Sequence, residues 1–323
     1  MSHILLTGGS GFFGRALLRT WLAQFNSGLA IPKVTILTRS QNAFLCQFPE
    51  FDQLEWLNFC VGDICKPATL PKDVCFTHIL HAAADSTLGP QLAFLQRYDQ
   101  IVNGTRHMLD LAISCGAKRF LLTSSGAVYG VQPSHLKLIP ESWHGSPDTL
   151  DAANAHGVAK RAAEHLCALY SSTYGLETVI ARCFSFVGQD LPMNVHFAIG
   201  NFIRDALWHH EITVAGDGTP LRSYLDQRDL ANWLLRLLEH GKSGHAYNVG
   251  SDYAISMADL ARLVRDIVAR DKSIRILGQP SFDYHRHMYV PNIEKARSNL
   301  GLDVSIDLVE AIRTTAMMVS QCL

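Results

Sequence analysis

Three glycines spaced by three, in Thr7-Gly8-x-x-Gly11-x-x-Gly14, act through the backbone geometry they permit. They follow the short apolar run Ile4–Thr7 and lead into a segment of helical periodicity from Ala16 to Phe25. Gly8 takes a backbone shape that other residues resist. Gly11 lets a pyrophosphate approach the main chain, and Gly14 lets a helix pack close on a strand. The unpaired N–H groups and partial positive charge at the start of that helix then receive phosphate. A glycine triplet alone is a weak signal. With a strand before it and a helix after it, the triplet predicts a dinucleotide site.

The elements that would position such a site follow in alternation. Short β-rich runs fall at Ile4–Thr7, Val34–Thr38, Leu54–Val61, His78–Ala82, Arg119–Ser124 and Thr178–Cys183. Helical stretches fall near Phe13–Phe25, Pro90–Cys115 and Ala155–Tyr174. Apolar strands alternating with helices predict an α/β fold, a Rossmann-type doubly wound parallel sheet over residues 1–183. After Cys183 the rhythm shifts to longer loops and shorter strands. Helices are expected at Ile199–His209, Asp229–His240, Met257–Arg270 and Asp307–Ser320, with Asp226 or Asp229 capping the second and Ser256 the third. This predicts a smaller mixed α/β C-terminal lobe over 184–323. Whether the segment about 224–250 returns to the first domain is left open.

Composition narrows the function. The chain has 323 residues, enough for one large or two ordinary domains. At 48% hydrophobic and 18% charged residues, it reads as globular rather than disordered. A net charge of −1 without a basic block argues against nucleic acid as a partner. No apolar stretch is long enough to span a bilayer, so no membrane partner is expected. The glycines within residues 3–14, and the lack of a basic lead-in, argue against a secretion signal. Eight cysteines without a Cys-x-x-Cys pair predict reduced core thiols and a cytoplasmic protein. The histidine pairs His209-His210 and His285-x-His287 lack partner ligands, and no metal site is expected.

Further along, the motifs resemble the extended short-chain dehydrogenase/reductase family, in its branch of nucleotide-sugar epimerases, dehydratases and reductases. The resemblance rests on Thr7–Gly14, Gly62-Asp63-Ile64, His81-Ala82-Ala83-Ala84, Asn103-Gly104-Thr105 and Thr123–Gly130. It continues through Gly157-x-x-Lys160, Gly216-x-Gly218 with Arg222-Ser223-Tyr224, and Asn248-Val249-Gly250. It covers nearly the whole chain, and its specificity lies in the order and spacing of these motifs. It implies a nicotinamide dinucleotide held by Gly8, Gly11, Phe12, Phe13 and Gly14, with Asp63 and Ile64 at the adenine. Ala82, Ala83 and Ala84 would line the cofactor trough, and Asn103 would brace the active-site helices. After the second strand a carboxylate grips the ribose of NAD, whereas arginine meets the extra phosphate of NADP. Here stands Arg39, which favours NADP, with NAD as the alternative.

The resemblance also implies a catalytic Ser or Thr, a Tyr, and a Lys four residues after the Tyr. Ser125 and Lys160 fit, but His156 occupies the tyrosine position. A spacing of four puts His156 and Lys160 on neighbouring helical turns. Two readings stay open. His156 replaces the phenol as general acid/base, because imidazole titrates near pH ~6.5. Lys160 and an oxidised nicotinamide would then keep it neutral. Otherwise redox power is weak or lost, leaving a dinucleotide-sensing binding protein. Tyr129, four positions after Ser125, is expected to be structural. Family members that dehydrate or decarboxylate place acids after the serine, whereas Gly126 and Ala127 stand here. Epimerisation or keto-sugar reduction is therefore favoured. For the nucleotide-sugar substrate, the resemblance implies that Arg222 and Arg286 clamp the diphosphate and that Asn201 meets the nucleotide. Ser185 stands where an asparagine usually touches substrate. A homodimer through the helices near Pro90–Cys115 and Ala155–Tyr174 is expected.

Overall fold

The computed structural model describes residues 2–84, 91–279 and 287–321. The main sheet uses β1 (His3–Thr7), β2 (Lys33–Thr38), β3 (Leu57–Val61), β4 (His78–His81), β5 (Arg119–Ser125) and β6 (Glu177–Cys183). Its seven strands are ordered β3-β2-β1-β4-β5-β6, followed by the strand His245–Val249. The ladders of β1 with β2 and β4, β2 with β3, and β4 with β5 are all parallel. Successive residues Ile4, Leu5 and Leu6 are all buried, as expected of a parallel strand covered on both faces. The order reverses between β1 and β4, the point at which such sheets bind ligands beyond their strand ends.

Four helices accompany these strands: α1 (Phe12–Asn26), α2 (Gln41–Gln47), α3 (Phe94–Ser114) and α4 (Ala155–Tyr174). Met108, Leu109 and Ala112 of α3 and Ala159, Ala163 and Cys167 of α4 share one core with Ile79, Phe120, Leu122 and Ile180 of the sheet. Several ends differ from the pattern read in the sequence. β3 starts at Leu57, because Leu57 N–H closes a turn onto Leu54 O at 3.0 Å. The helix expected from Asp229 begins at Gln227, where Asp226 Oδ1 accepts from Arg228 N–H at 2.8 Å. Asp229 instead accepts from the N–H groups of Ser305 and Ile306. Ser256 caps its helix by accepting from Asp259 N–H at 3.0 Å.

The chain gathers into two units. One comprises Met1–Gly130, Ser146–Arg182 and Ala231–Tyr247; the other comprises Val131–Gly145, Cys183–Leu230 and Asn248–Leu323. Within the second, the strand Leu221–Arg222 lies between Ile255–Ser256 and Met288–Tyr289. The segment Val131–Gly145 joins this unit through Ile139, whose N–H donates to Val290 O and whose carbonyl accepts from Asn292 N–H. Asn248 Nδ2 also donates to Ile139 O at 2.8 Å. Among the described cysteines, Cys115, Cys167 and Cys183 are buried thiols, while Cys46, Cys65 and Cys75 are exposed, so the expectation of core thiols covers only part of the set. No helix among the described residues is long and apolar enough to cross a membrane.

Candidate active site

Glycine builds the switch point first. Gly8 holds φ at +75°, and a Cβ there would lie 2.6 Å from Ala82 O. A Cβ on Gly14 would lie 2.3 Å from Gly8 O. β1, α1 and the run Ala82–Ala84 therefore close on one another only because these side chains are missing. Gly11 differs, since a Cβ there would meet only Gly8 O, at 3.3 Å. Its remaining side is open to a pyrophosphate. α1 starts from Gly11 with no acidic side chain in its first turn, so the N-terminal dipole is uncompensated. The cradle fits a dinucleotide. Phe12 is buried and Phe13 half-buried beside it, their ring centroids 5.9 Å apart.

A buried polar relay holds this cradle to the sheet. Thr7 Oγ1 accepts from Ala83 N–H at 3.1 Å and lies 2.8 Å from His81 Nδ1. Thr105 Oγ1, on α3, donates to Ile101 O and lies 3.4 Å from His81 Nε2. Because Thr105 gives its hydroxyl proton to Ile101 O, it accepts from His81 Nε2–H, and the neutral ring then accepts from Thr7 Oγ1 at Nδ1. Thr123 Oγ1 donates to His81 O at 3.1 Å. Burial, then the nearby Lys160 charge, push His81 down to about 3, so the ring stays neutral.

Lys160 is buried, and its Nζ donates to Thr123 O at 2.7 Å, fixing it to β5 two residues before Ser125. Ser125 ends that strand, and its Oγ accepts from Ala127 N–H at 3.2 Å as the chain turns. A Cβ on Gly157 would lie 2.8 Å from Ala127 O, so the first turn of α4 packs directly on the turn after Ser125. Half-buried His156 adjoins Gly157 and precedes Lys160 by one helical turn. The fold thus brings Ser125, His156 and Lys160 to one place.

Tyr129 is buried, and its hydroxyl accepts from Arg182 Nη1 at 2.9 Å, so it serves the fold. Arg182 Nη2 lies 2.7 Å from Glu164 Oε2, while Ser124 Oγ donates to Glu164 Oε1 at 2.5 Å. This node, which ties α4 to β5 and β6, was missed in the sequence. Its signals were an arginine inside the apolar strand Thr178–Cys183 and an acid one turn past Lys160.

At the adenine end, Arg39 is exposed just beyond β2, and among the described residues it makes no ion pair. Ser40 Oγ caps α2 by accepting from Ala43 N–H. Asp63 is half-buried, with Oδ1 accepting from Cys65 N–H at 2.9 Å, so part of its carboxylate serves its own turn. Ile64 is buried, and a Cβ on Gly104 would come within 2.8 Å of its Cδ1, so its side chain belongs to the core. Its carbonyl accepts from His107 Nδ1 at 2.7 Å. Ala82, Ala83 and Ala84 are half-buried at the end of β4. Asn103 is exposed on α3, and the buried position nearby is Ile101.

The remaining expected residues lie in the second unit. Arg222 is half-buried; its Nη1 donates to Leu221 O and His287 O, and its guanidinium sits 5.7 Å from the Tyr289 ring centroid. Burial holds its pKa below the ordinary value, and among the described residues no acid pairs with it. Among the described residues it is a partly desolvated cation without a paired anion. Asn201 Oδ1 accepts from Arg204 Nη1 at 3.2 Å, and its Nδ2 donates to Val195 O at 2.8 Å. Ser185 is half-buried and its carbonyl accepts from Leu225 N–H. Arg286 lies outside the described residues.

Comparison with known proteins gives the context. Residues 4–250 match the model of the NAD dependent epimerase/dehydratase family. UDP-glucuronic acid decarboxylase 1 of Arabidopsis thaliana is 29% identical over 316 residues, which cover 96% of this chain and 68% of the relative. Among solved structures, the UDP-glucuronic acid 4-epimerase of Bacillus cereus in complex with NAD superposes with a TM-score of 0.81, at 21% identity and covering 99% of each chain. RMD of Pseudomonas aeruginosa, complexed with NADPH, superposes equally well at 0.81, with 23% identity over the full length of both chains. These solved structures share the fold.

Proposed function

Since the chain belongs to the NAD dependent epimerase/dehydratase family, we propose that it oxidises or reduces one carbon of a nucleotide-activated sugar. The outcome is epimerisation or keto-sugar reduction. The observation that carries this reading is the seating of Lys160 on Thr123 O, with His156 one turn above it and Ser125 at the strand end beside it. Gly8, Gly11, Phe12, Phe13 and Gly14 hold the dinucleotide, with Asp63 and Ala82–Ala84 along its length. Bound there, a nicotinamide supplies the hydride donor or acceptor. Arg39 favours NADP by meeting its extra phosphate.

The chain's own residues handle the proton. Ser125 Oγ hydrogen-bonds the reacting oxygen and polarises it. His156 accepts the hydroxyl proton during oxidation and returns it during reduction. Lys160, anchored on Thr123 O one turn from His156, positions the cofactor. Gly126 and Ala127 offer no side chain for a second proton transfer, which favours epimerisation or reduction over loss of water or carboxylate. On the substrate, Arg222 clamps the diphosphate with its planar fork, aided by Arg286, while Asn201 meets the nucleotide and Ser185 the sugar. The similarity to UDP-glucuronic acid decarboxylases makes UDP-glucuronate the first sugar to try. A homodimer through α3 and α4 is part of this reading; Phe94, Leu95, Leu169 and Tyr174 are exposed apolar side chains on those helices.

The test is deuteride exchange between labelled NADPH or NADH and UDP-glucuronate or UDP-glucose. We expect turnover by the wild type and a fall of about 10²–10⁴-fold in His156→Ala, with cofactor affinity kept. His156 standing where a phenol is expected supports one rival, a sensor without turnover. If the wild type exchanges nothing while His156→Tyr gains exchange, the sensor reading replaces the enzyme.

A further inference from the structure

Arg97 is not used by the site described above. It lies in the first turn of α3 and extends toward the N-terminus the buried stripe of Ile101, Thr105, Met108 and Ala112. The Thr105 contact with His81 registers α3 against the end of β4. At about 1.5 Å per residue, Arg97 lies about 12 Å along α3 from Thr105, toward the N-terminus of the helix. His156 lies one turn N-terminal to Lys160, which is anchored on Thr123 O of neighbouring β5. α3 and α4 pack on each other through the shared core. Arg97 therefore lies on the side of α3 that bears the buried stripe, toward the strand ends where the proposed general base also stands.

Its electrostatics are unusual. Arg97 is half-buried, and burial holds its pKa below the ordinary value with no acid among the described residues to offset the shift. Among the described residues its side chain has neither an ion pair nor a hydrogen bond. Asp99, two positions on, is exposed on a different face of the helix. A partly desolvated guanidinium without an acceptor is costly, and an anion that completes it removes that cost. The first turn of α3 also carries no acid, so the helix dipole adds to the positive field.

We propose that Arg97 is a carboxylate-binding residue that makes the protein selective for an acidic nucleotide sugar over its neutral counterpart. The inference rests on the nucleotide-sugar reading above. The cofactor's pyrophosphate is served at Gly11 and the start of α1, and the substrate's diphosphate by Arg222. What remains for Arg97 is an anionic substituent on the sugar ring, whose reacting carbon must lie within reach of His156. A guanidinium fork matches a carboxylate with two parallel hydrogen bonds, which an ammonium cannot reproduce.

Calorimetric titration of wild type, Arg97→Ala and Arg97→Lys with UDP-glucuronate, UDP-glucose and NADPH tests this. Wild type is expected to bind UDP-glucuronate more tightly than UDP-glucose. Arg97→Ala should lose about 10–100-fold for UDP-glucuronate alone, with Arg97→Lys intermediate. Equal wild-type affinity for the two sugars, an equal loss for both, no loss, or lost NADPH binding in both variants would each overturn the proposal. Wild type that takes up NADPH but neither sugar would overturn the nucleotide-sugar reading itself, and this inference with it.

Discussion

At His81 a neutral ring is held between two threonine hydroxyls, and its charge preference carries a stability consequence. Folding pushes its pKa down to about 3, chiefly through burial, whereas the unfolded side chain titrates near ~6.5. Below about pH 6.5 the unfolded chain takes up a proton that the native protein refuses until about pH 3. Stability from this group is therefore complete above that window and lost as pH falls through it. Urea unfolding of the wild type should weaken by about 1.4 kcal/mol per pH unit more steeply than that of His81→Asn between pH 6 and 4. Parallel slopes in the two proteins would contradict the assigned neutral ring. His156 and Lys160 were legible as a pair because helical spacing alone sets them a turn apart. The relay from Thr7 through His81 to Thr105 was not legible, since its members are 74 and 24 positions apart.

Among elements, the glycine turn and α4 decide how the site is assembled. The three glycines look alike in sequence but meet different surroundings. A Cβ at Gly14 collides with backbone at 2.3 Å, whereas one at Gly11 meets a single carbonyl at 3.3 Å and otherwise occupies open space. Gly14→Ala should therefore lower the melting temperature as well as cofactor affinity. Gly11→Ala should weaken NADPH binding while leaving the melting temperature within a degree or two of wild type. Calorimetry and thermal melts on both variants would check this, and equal thermal losses would refute the distinction. α4 is held twice, by Lys160 on Thr123 O and by Glu164 between Ser124 and Arg182. Periodicity located the helix, but only packing shows that its acid grips two strands.

For the whole molecule, the exposed apolar side chains on α3 and α4 lead us to expect a dimer. Light scattering should give twice the 35.7 kDa chain mass, and a monomer at working concentration would remove the dimer from the proposed function. Sequence by itself determined the α/β class, the strand–glycine–helix opening and six strands of the main sheet, because hydrophobic period and glycine geometry are local properties. The family resemblance also singled out Arg222 for a diphosphate, although not that burial desolvates its guanidinium, with no acid paired to it among the described residues. Tertiary structure alone decided that Val131–Gly145 joins the second unit and that His245–Val249 extends the sheet beside β6. It also withdrew Ile64 into the core, buried His81 as a neutral ring and left Arg97 half-buried with no ion pair among the described residues. Burial and ion pairing depend on which distant segments fold against a residue, and no spacing along the chain encodes that.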